Sequence, residues 1–207
     1  MSDTEPVVCV IDDDASFRRA VERLVRSAGM SAIAYASAQD YLSSFDADRS
    51  GCLLLDISMP GQSGLDLQEA LAGEALVPPI IFITGHGDVP ASVQAMKRGA
   101  VEFLTKPVED SLLIGAIRSA IAKDRGNRLD RAELAALQSR FDTLTPRESE
   151  VLRHVISGRL NKQIAADLGT VEKTIKVHRS RLMDKLQVRS VAALVRLAAQ
   201  AAIPPAY

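Results

Sequence analysis

Apolar positions along the chain fall into two rhythms. Val7-Val8-Cys9-Val10-Ile11, Cys52-Leu53-Leu54-Leu55 and Ile80-Ile81-Phe82-Ile83 are unalternated runs, the pattern of strands buried on both faces of a parallel sheet. Between the first two, Phe17, Ala20, Val21, Leu24, Val25 and Ala28 recur at helical spacing, and Gly29 stands where such a helix would end. Ser31 to Tyr35 predicts a further strand, Ser37 to Ser44 a helix beginning at a capping Ser, and Leu65 to Leu71 another helix. Pro90 to Arg98 predicts the next helix, with Pro90 suited to its first turn and Gly99 to its end, and Glu102 to Thr105 a short last strand. Five strands alternating with helices predict an α/β unit with a parallel sheet and right-handed crossovers.

Polar residues close four of these strands: Asp12 and Asp13 the first, Asp56 the third, Thr84 the fourth and Lys106 the fifth. In a parallel sheet those ends converge on one edge, where open α/β sheets bind ligands. For any single position the plain alternative is a turn: Asp56 precedes Ile57-Ser58-Met59-Pro60-Gly61, and Asp14 reads as a loop or N-cap residue. Together they form a chemical set. Three carboxylates repel one another unless a cation neutralises them, and an all-oxygen set suits Mg²⁺. A Lys supplies a point charge for a phosphoryl oxygen, a Thr hydroxyl a donor, and Asp56 a nucleophile able to become an aspartyl phosphate.

The stripe Leu113, Ile114, Ile117 and Ile121 predicts a helix over Asp110 to Ile121. The charged run Lys123-Asp124-Arg125-Gly126-Asn127-Arg128 carries a helix-breaking Gly-Asn and marks a domain boundary. Leu129 to Phe141 resumes helical composition, with Leu134, Leu137 and Phe141 on one side. The expected organisation is residues 1–123, a helical linker over 124–141, and residues 142–207. The linker is either continuous with the preceding helix or separate from it, and its stripe serves as a dimer seam or docks on a domain.

Thr145-Pro146-Arg147-Glu148 reads as a capped helix start with a capping-box partner, and Val151, Leu152, Val155 and Ile156 give that helix an inner face ending at Gly158. Asn161 to Leu168 predicts a short second helix, Gly169 a turn, Val171 to Leu186 a third helix with Thr170 placed to cap, and Ser190 to Ala201 a fourth. A short helix, a Gly-containing turn and a basic helix suggest helix-turn-helix. On a helical wheel Ile175, Leu182 and Leu186 lie inside, whereas Lys173, Val177, Ser180, Arg181 and Asp184 point outward, flanked by Thr174 and Lys176. That face offers cations for phosphates and an apolar contact for a thymine methyl, although a solvated face is the plainer reading of one basic helix. Arg179 falls inward, where an unpaired cation is costly, so Glu148 or Glu150 is its expected partner.

Charge sharpens the division. Residues 1–125 carry 11 basic and 18 acidic side chains, a net −7, and residues 126–207 carry 14 and 8, a net +6, within a chain whose total is −1. The second part suits a polyanion. Cys9 and Cys52 fall inside apolar strands and read as small core hydrophobes. Met1-Ser2-Asp3-Thr4-Glu5 lacks the basic start of a signal peptide, and no apolar run approaches the roughly 20 residues that span a bilayer, so the expected compartment is the cytoplasm, without a membrane partner.

Asp12-Asp13, Asp56, Thr84 and Lys106-Pro107 at these separations resemble the receiver domain of bacterial two-component response regulators, over about residues 5 to 123. The motifs Leu144-Thr145-Pro146-Arg147-Glu148, Asn161-Lys162-Gln163-Ile164-Ala165, Lys173-Thr174-Ile175-Lys176-Val177-His178-Arg179 and Met183-Asp184-Lys185-Leu186 resemble the LuxR-type DNA-binding domain, over residues 142 to 203. Together the halves look like a NarL/FixJ-family transcription regulator.

The resemblance implies an α/β flavodoxin-like receiver with a five-stranded parallel sheet of order 2-1-3-4-5, and a separate all-α four-helix helix-turn-helix domain joined by a helical linker. It implies Asp56 as phosphoacceptor for a partner histidine kinase, and Mg²⁺ held by Asp12, Asp13, Asp56 and the Ser58 backbone carbonyl. Lys106 would pair with the phosphoryl group, the Lys106-Pro107 bond would be cis, and Thr84 and Phe103 would act as switch residues. The surface of Ala91 to Arg98 and Glu102 to Leu104 would form a homodimer on phosphorylation. Promoter DNA would meet Lys173, Thr174, Lys176, Val177, Ser180 and Arg181, with RNA polymerase a further partner.

His86 follows the switch strand and either influences dephosphorylation or is a plain surface histidine. Two other readings differ in kind. An aspartyl-nucleophile phosphatase of the haloacid-dehalogenase type would carry a second Asp two residues after the first, and Ser58 stands there, so no enzyme is expected. A phosphorylation-independent regulator would not need the five receiver residues together.

Overall fold

The computed structural model describes residues 5–74, 76–85 and 89–206. His86 lies outside them. The chain divides into two compact units, Met1–Arg128 and Leu129–Tyr207.

In the first unit β1 (Val7–Ile11), β2 (Ser31–Tyr35), β3 (Gly51–Asp56), β4 (Ile80–Thr84) and β5 (Glu102–Thr105) form one sheet of order β2-β1-β3-β4-β5. Every pairing is parallel, as the unalternated runs require. α1 (Ala15–Ser27) and the start of α5 (Asp110–Asp142) cover one face, where Val21, Val25, Leu113, Ile117 and Ala120 pack on Val8, Val10, Cys52, Leu54, Ile81 and Ile83. α2 (Ala38–Ser43), α3 (Gly64–Leu71) and α4 (Val89–Lys97) cover the other, where Tyr41, Leu67, Leu71 and Ala95 pack on Cys9, Ile11, Leu53, Leu55 and Phe82. Cys9 and Cys52 are free thiols buried on opposite faces. Burial pushes the Cys52 thiol up to about 12, so it stays protonated and inert.

Strand order reverses between β1 and β3, the crevice where doubly wound sheets hold ligands. Asp14 is the N-cap of α1, its carboxylate accepting from the Ser16 and Phe17 amides.

The Gly126-Asn127 pair does not break the helix, and of the two linker arrangements the continuous one is found. α5 runs 33 residues without interruption, so the linker segment is the second half of one helix. Gly in a helix interior costs about 1 kcal/mol relative to Ala, and here it is flanked by two residues with strong tertiary partners. Asp124, buried, accepts from the Gly51 amide at 2.9 Å and from Arg128 Nε at 2.8 Å.

The second unit holds α6 (Pro146–Ile156), α7 (Asn161–Asp167), α8 (Glu172–Lys185) and α9 (Val191–Gln200). Their core joins Val151, Leu152 and Val155 to Ile164, Ile175, Leu182, Leu186, Leu194 and Ala198, with Phe141 from the end of α5. Thr145 caps α6 and Glu148 completes the capping box. Two expectations fail here. Thr170 does not cap α8: its amide closes the turn onto Ala165 O at 2.9 Å, and Val171, which has no capping side chain, precedes the helix. Arg179 does not meet Glu148 or Glu150; its guanidinium donates to Asn161 Oδ1, while Glu148 takes Lys185 at 2.7 Å and Glu150 takes Arg147 at 2.7 Å.

Candidate functional site

β1 and β3 are paired with Ile11 opposite Leu55, so the next residues, Asp12 and Asp56, stand side by side at the sheet edge. Both are buried, and Asp13 beside them is exposed. Asp12, Asp13 and Asp56 each offer a carboxylate oxygen within 4.8 Å of the others. From β5, Lys106 reaches across: Nζ donates to Asp12 Oδ2 at 2.6 Å and to Asp56 Oδ2 at 3.4 Å, and lies 4.2 Å from the Phe17 ring centre. The Lys106-Pro107 bond is cis.

Burial raises the Asp12 pKa above its ordinary value, against the opposing hydrogen bond from Lys106 and the Asp14 amide. Burial alone would lower that of Lys106, but the hydrogen bond to Asp12 and the charges of Asp12 and Asp56 outweigh it and the net shift is upward. An ammonium held charged beside two buried carboxylates is a fixed cation at this edge.

Thr84 ends β4, one residue past Ile83, which pairs with Asp56, and it is buried. Phe103 lies opposite Phe82 on β5, half-buried against the cluster on the α2 to α4 face. Ser58 is exposed in the loop after β3, its amide 3.4 Å from Asp56 Oδ1. The edge therefore gathers Asp12, Asp13, Asp56, Thr84 and Lys106 from four strands. Three carboxylates and an adjacent exposed loop form an all-oxygen donor set that fits Mg²⁺ in kind.

In the second unit Ile175, Leu182 and Leu186 are fully buried, which turns the opposite face of α8 outward. Lys173, Lys176, Val177, Ser180 and Arg181 are exposed and Thr174 is half-buried. Lys176 pairs with Glu172 at 3.1 Å, whereas Lys173 and Arg181 have no ion-pair partner among the described residues. Sequence reasoning missed what holds this helix. Lys185 donates to Thr143 O at 2.9 Å and to Glu148 at 2.7 Å, and Arg140 donates to the Leu186 carbonyl.

A doubly wound sheet with this acidic edge, followed by a helix-turn-helix unit with a basic outward helix, defines a signal-receiving domain joined to a DNA-binding domain. Residues 8–118 match the response regulator receiver domain, and residues 142–198 match the bacterial regulatory proteins of the luxR family. Nodulation protein W of Bradyrhizobium diazoefficiens is 46% identical over 194 residues, covering 94% of this chain and 86% of that protein. Response regulator protein TodT of Pseudomonas putida is 43% identical, covering 95% and 87%. The solved structure of the response regulator StyR superposes with a TM-score of 0.82 at 45% identity, over 95% of this chain and all of that one. The chain belongs to the NarL/FixJ family of response regulators: it is a response regulator transcription factor with a receiver domain and a LuxR-type DNA-binding domain. No helix among the described residues is long and apolar enough to cross a membrane.

Proposed function

We propose that a partner histidine kinase activates this regulator by phosphorylating Asp56, and that the phosphorylated protein dimerises and binds promoter DNA. The observation that carries the reading is Lys106 bridging Asp12 and Asp56, because a fixed cation at an acidic cleft serves a transferred phosphoryl group. An Asp56 carboxylate oxygen attacks the phosphorus of the kinase phosphohistidine, a P–O bond forms as the P–N bond breaks, and the imidazole leaves with the electron pair. Mg²⁺ held by Asp12, Asp13, Asp56 and the Ser58 carbonyl would neutralise charge on the phosphoryl oxygens.

Lys106 then pairs with the new phosphoryl group, and the Thr84 hydroxyl moves to donate to it. Phe103, half-buried now, follows into the space that Thr84 vacates. This reshapes the surface of Ala91 to Arg98 and Glu102 to Leu104, where Val93 and Met96 are exposed, and that surface forms the homodimer. The dimer lays two α8 helices in the major groove, with Lys173, Thr174, Lys176, Val177, Ser180 and Arg181 against DNA. RNA polymerase is the further partner at the promoter, and the cytoplasm the compartment.

The test is the mass of the full chain in solution, by light scattering, with and without beryllium fluoride and Mg²⁺. A shift from monomer to dimer that Asp56→Asn abolishes is expected. An unchanged mass in the wild type, with beryllofluoride binding confirmed by calorimetry, would remove dimerisation as the output.

A further inference from the structure

A buried polar network far along β3 from Asp56 has no part in the phosphoryl chemistry. Gly51, the first residue of β3, donates its amide to the Asp124 carboxylate, whose side chain is 3% exposed. Arg128, one helical turn on, ties that carboxylate to the loop before β3: Nε donates to Asp124 at 2.8 Å, and the two terminal nitrogens donate to the carbonyls of Ala47 at 3.2 Å, Asp48 at 3.2 Å and Arg49 at 2.7 Å. The Ser50 carbonyl accepts from the Val7 amide, and Arg49 in turn donates to the Tyr35 hydroxyl. The loop is thus shaped, carbonyl by carbonyl, as a receptor for one guanidinium. Gly51 is required in it, since a Cβ there would stand 1.8 Å from the Val7 carbonyl oxygen.

Asp124 and Arg128 straddle Gly126 and Asn127, two poor helix formers at the point where α5 leaves the first unit, which ends at Arg128. Neither residue favours helix by itself: a Cβ at Gly126 would meet no atom within 4 Å, so no packing demands glycine, and the Asn127 side chain has no hydrogen-bond partner among the described residues. A helix at its weakest position, bound on both sides by a buried network, is a segment whose continuity is set by that network.

We propose that Asp124 and Arg128 form a clamp that keeps α5 helical across Gly126-Asn127, and that this continuity couples the receiver to DNA binding. With the clamp open, α5 breaks at Gly126 and the two units act independently. The coupling half rests on the phosphorylation reading above; the clamp half does not. Lysine cannot replace Arg128, because a point charge cannot serve a carboxylate and three carbonyls at once.

The test uses the full chain with Arg128→Ala and Arg128→Lys, and a rescue variant in which Arg128→Ala is combined with Gly126→Ala and Asn127→Ala. Amide hydrogen exchange over residues 125–132 is expected to quicken at least tenfold in both single variants, while that over residues 113–120 is unchanged, and to return toward wild type in the rescue. Calorimetric binding of beryllofluoride stays as in the wild type. The gain in DNA affinity on adding beryllofluoride, read by fluorescence anisotropy on a duplex selected from a random library, is lost in the single variants and restored in the rescue. Wild-type exchange over 125–132 in Arg128→Ala would overturn the clamp. Quickened exchange with the affinity gain intact would overturn the coupling. A wild type whose DNA affinity ignores beryllofluoride would instead overturn the phosphorylation reading, with the exchange arm still deciding the clamp. Exchange quickened across both windows would assign the network to global stability and overturn the proposal.

Discussion

The Lys106 ammonium stands closer to Asp12, at 2.6 Å, than to Asp56, at 3.4 Å. It occupies the charge field that a divalent cation would share, and a like charge a few ångströms away opposes cation binding. Lys106→Met is therefore expected to bind Mg²⁺ about three- to tenfold more tightly, roughly 1 kcal/mol, and to bind beryllofluoride at least tenfold more weakly. Titration calorimetry with each ligand separates the two. An unchanged Mg²⁺ affinity would mean that the ammonium moves aside without cost.

Gly64 opens α3 directly beneath the end of β3, and a Cβ on it would lie 2.2 Å from the Asp56 carbonyl oxygen and 3.1 Å from Ile57 Cα. Backbone cannot yield as a flexible side chain does. Gly64→Ala is expected to cost about 1–3 kcal/mol by overpacking and to slow acetyl phosphate labelling of Asp56 several-fold. Gly73→Ala, where a Cβ meets nothing within 4 Å, is the control and should alter neither. Equal labelling rates in the two variants would show that the Asp56 loop tolerates displacement.

The sheet and its acidic edge were legible because they depend on short-range facts: an apolar run of strand length, and a polar residue where it stops. Parallel topology then does the assembling, bringing Asp12 beside Asp56. The Asp124 and Arg128 network was not legible, since a charged run around Gly-Asn argues for a break by propensity, and the opposing bonds reach 73 residues back to Gly51. The one local signal was an acid and an arginine at i, i+4 spacing. For Arg179 the helical wheel gave the right face and the wrong partner. A wheel fixes direction around the axis but not height along it, and Glu148 lies level with Lys185 near the far end of α8.

Glu148 carries a pH dependence whose sign follows from its partners. The hydrogen bond from Lys185 is the main cause holding its carboxyl below the ordinary value near 4.5; burial opposes this, and the Thr145 amide adds to it. A folded-state value below the unfolded one gives stability that is present above pH 4.5 and is lost as the pH falls through the folded value. Glu148→Gln keeps a capping-box residue and removes the charge. It is expected to lower stability by about 1–2 kcal/mol at neutral pH and to flatten the loss below pH 4.5. Exchange of the buried Val151 and Leu152 amides against pH measures both, and parallel acid profiles for the two proteins would remove Glu148 as the titrating group.

Two neighbours on the exposed face of α8 are expected to behave oppositely toward DNA. Arg181 has no ion-pair partner among the described residues, so its cation is free for a phosphate, whereas Val177, 43% exposed, offers only apolar surface. A phosphate contact releases counterions regardless of sequence, and an apolar contact distinguishes a thymine methyl. Arg181→Ala should therefore weaken a selected duplex and a scrambled one alike, and lower the slope of log affinity against log salt by about 1. Val177→Ser should weaken the selected duplex by about 1 kcal/mol or more, with the scrambled duplex and the salt slope unchanged. Anisotropy at four salt concentrations on both duplexes reads all of these quantities, and a salt slope altered by Val177→Ser but not by Arg181→Ala would reverse the assignment of the two residues.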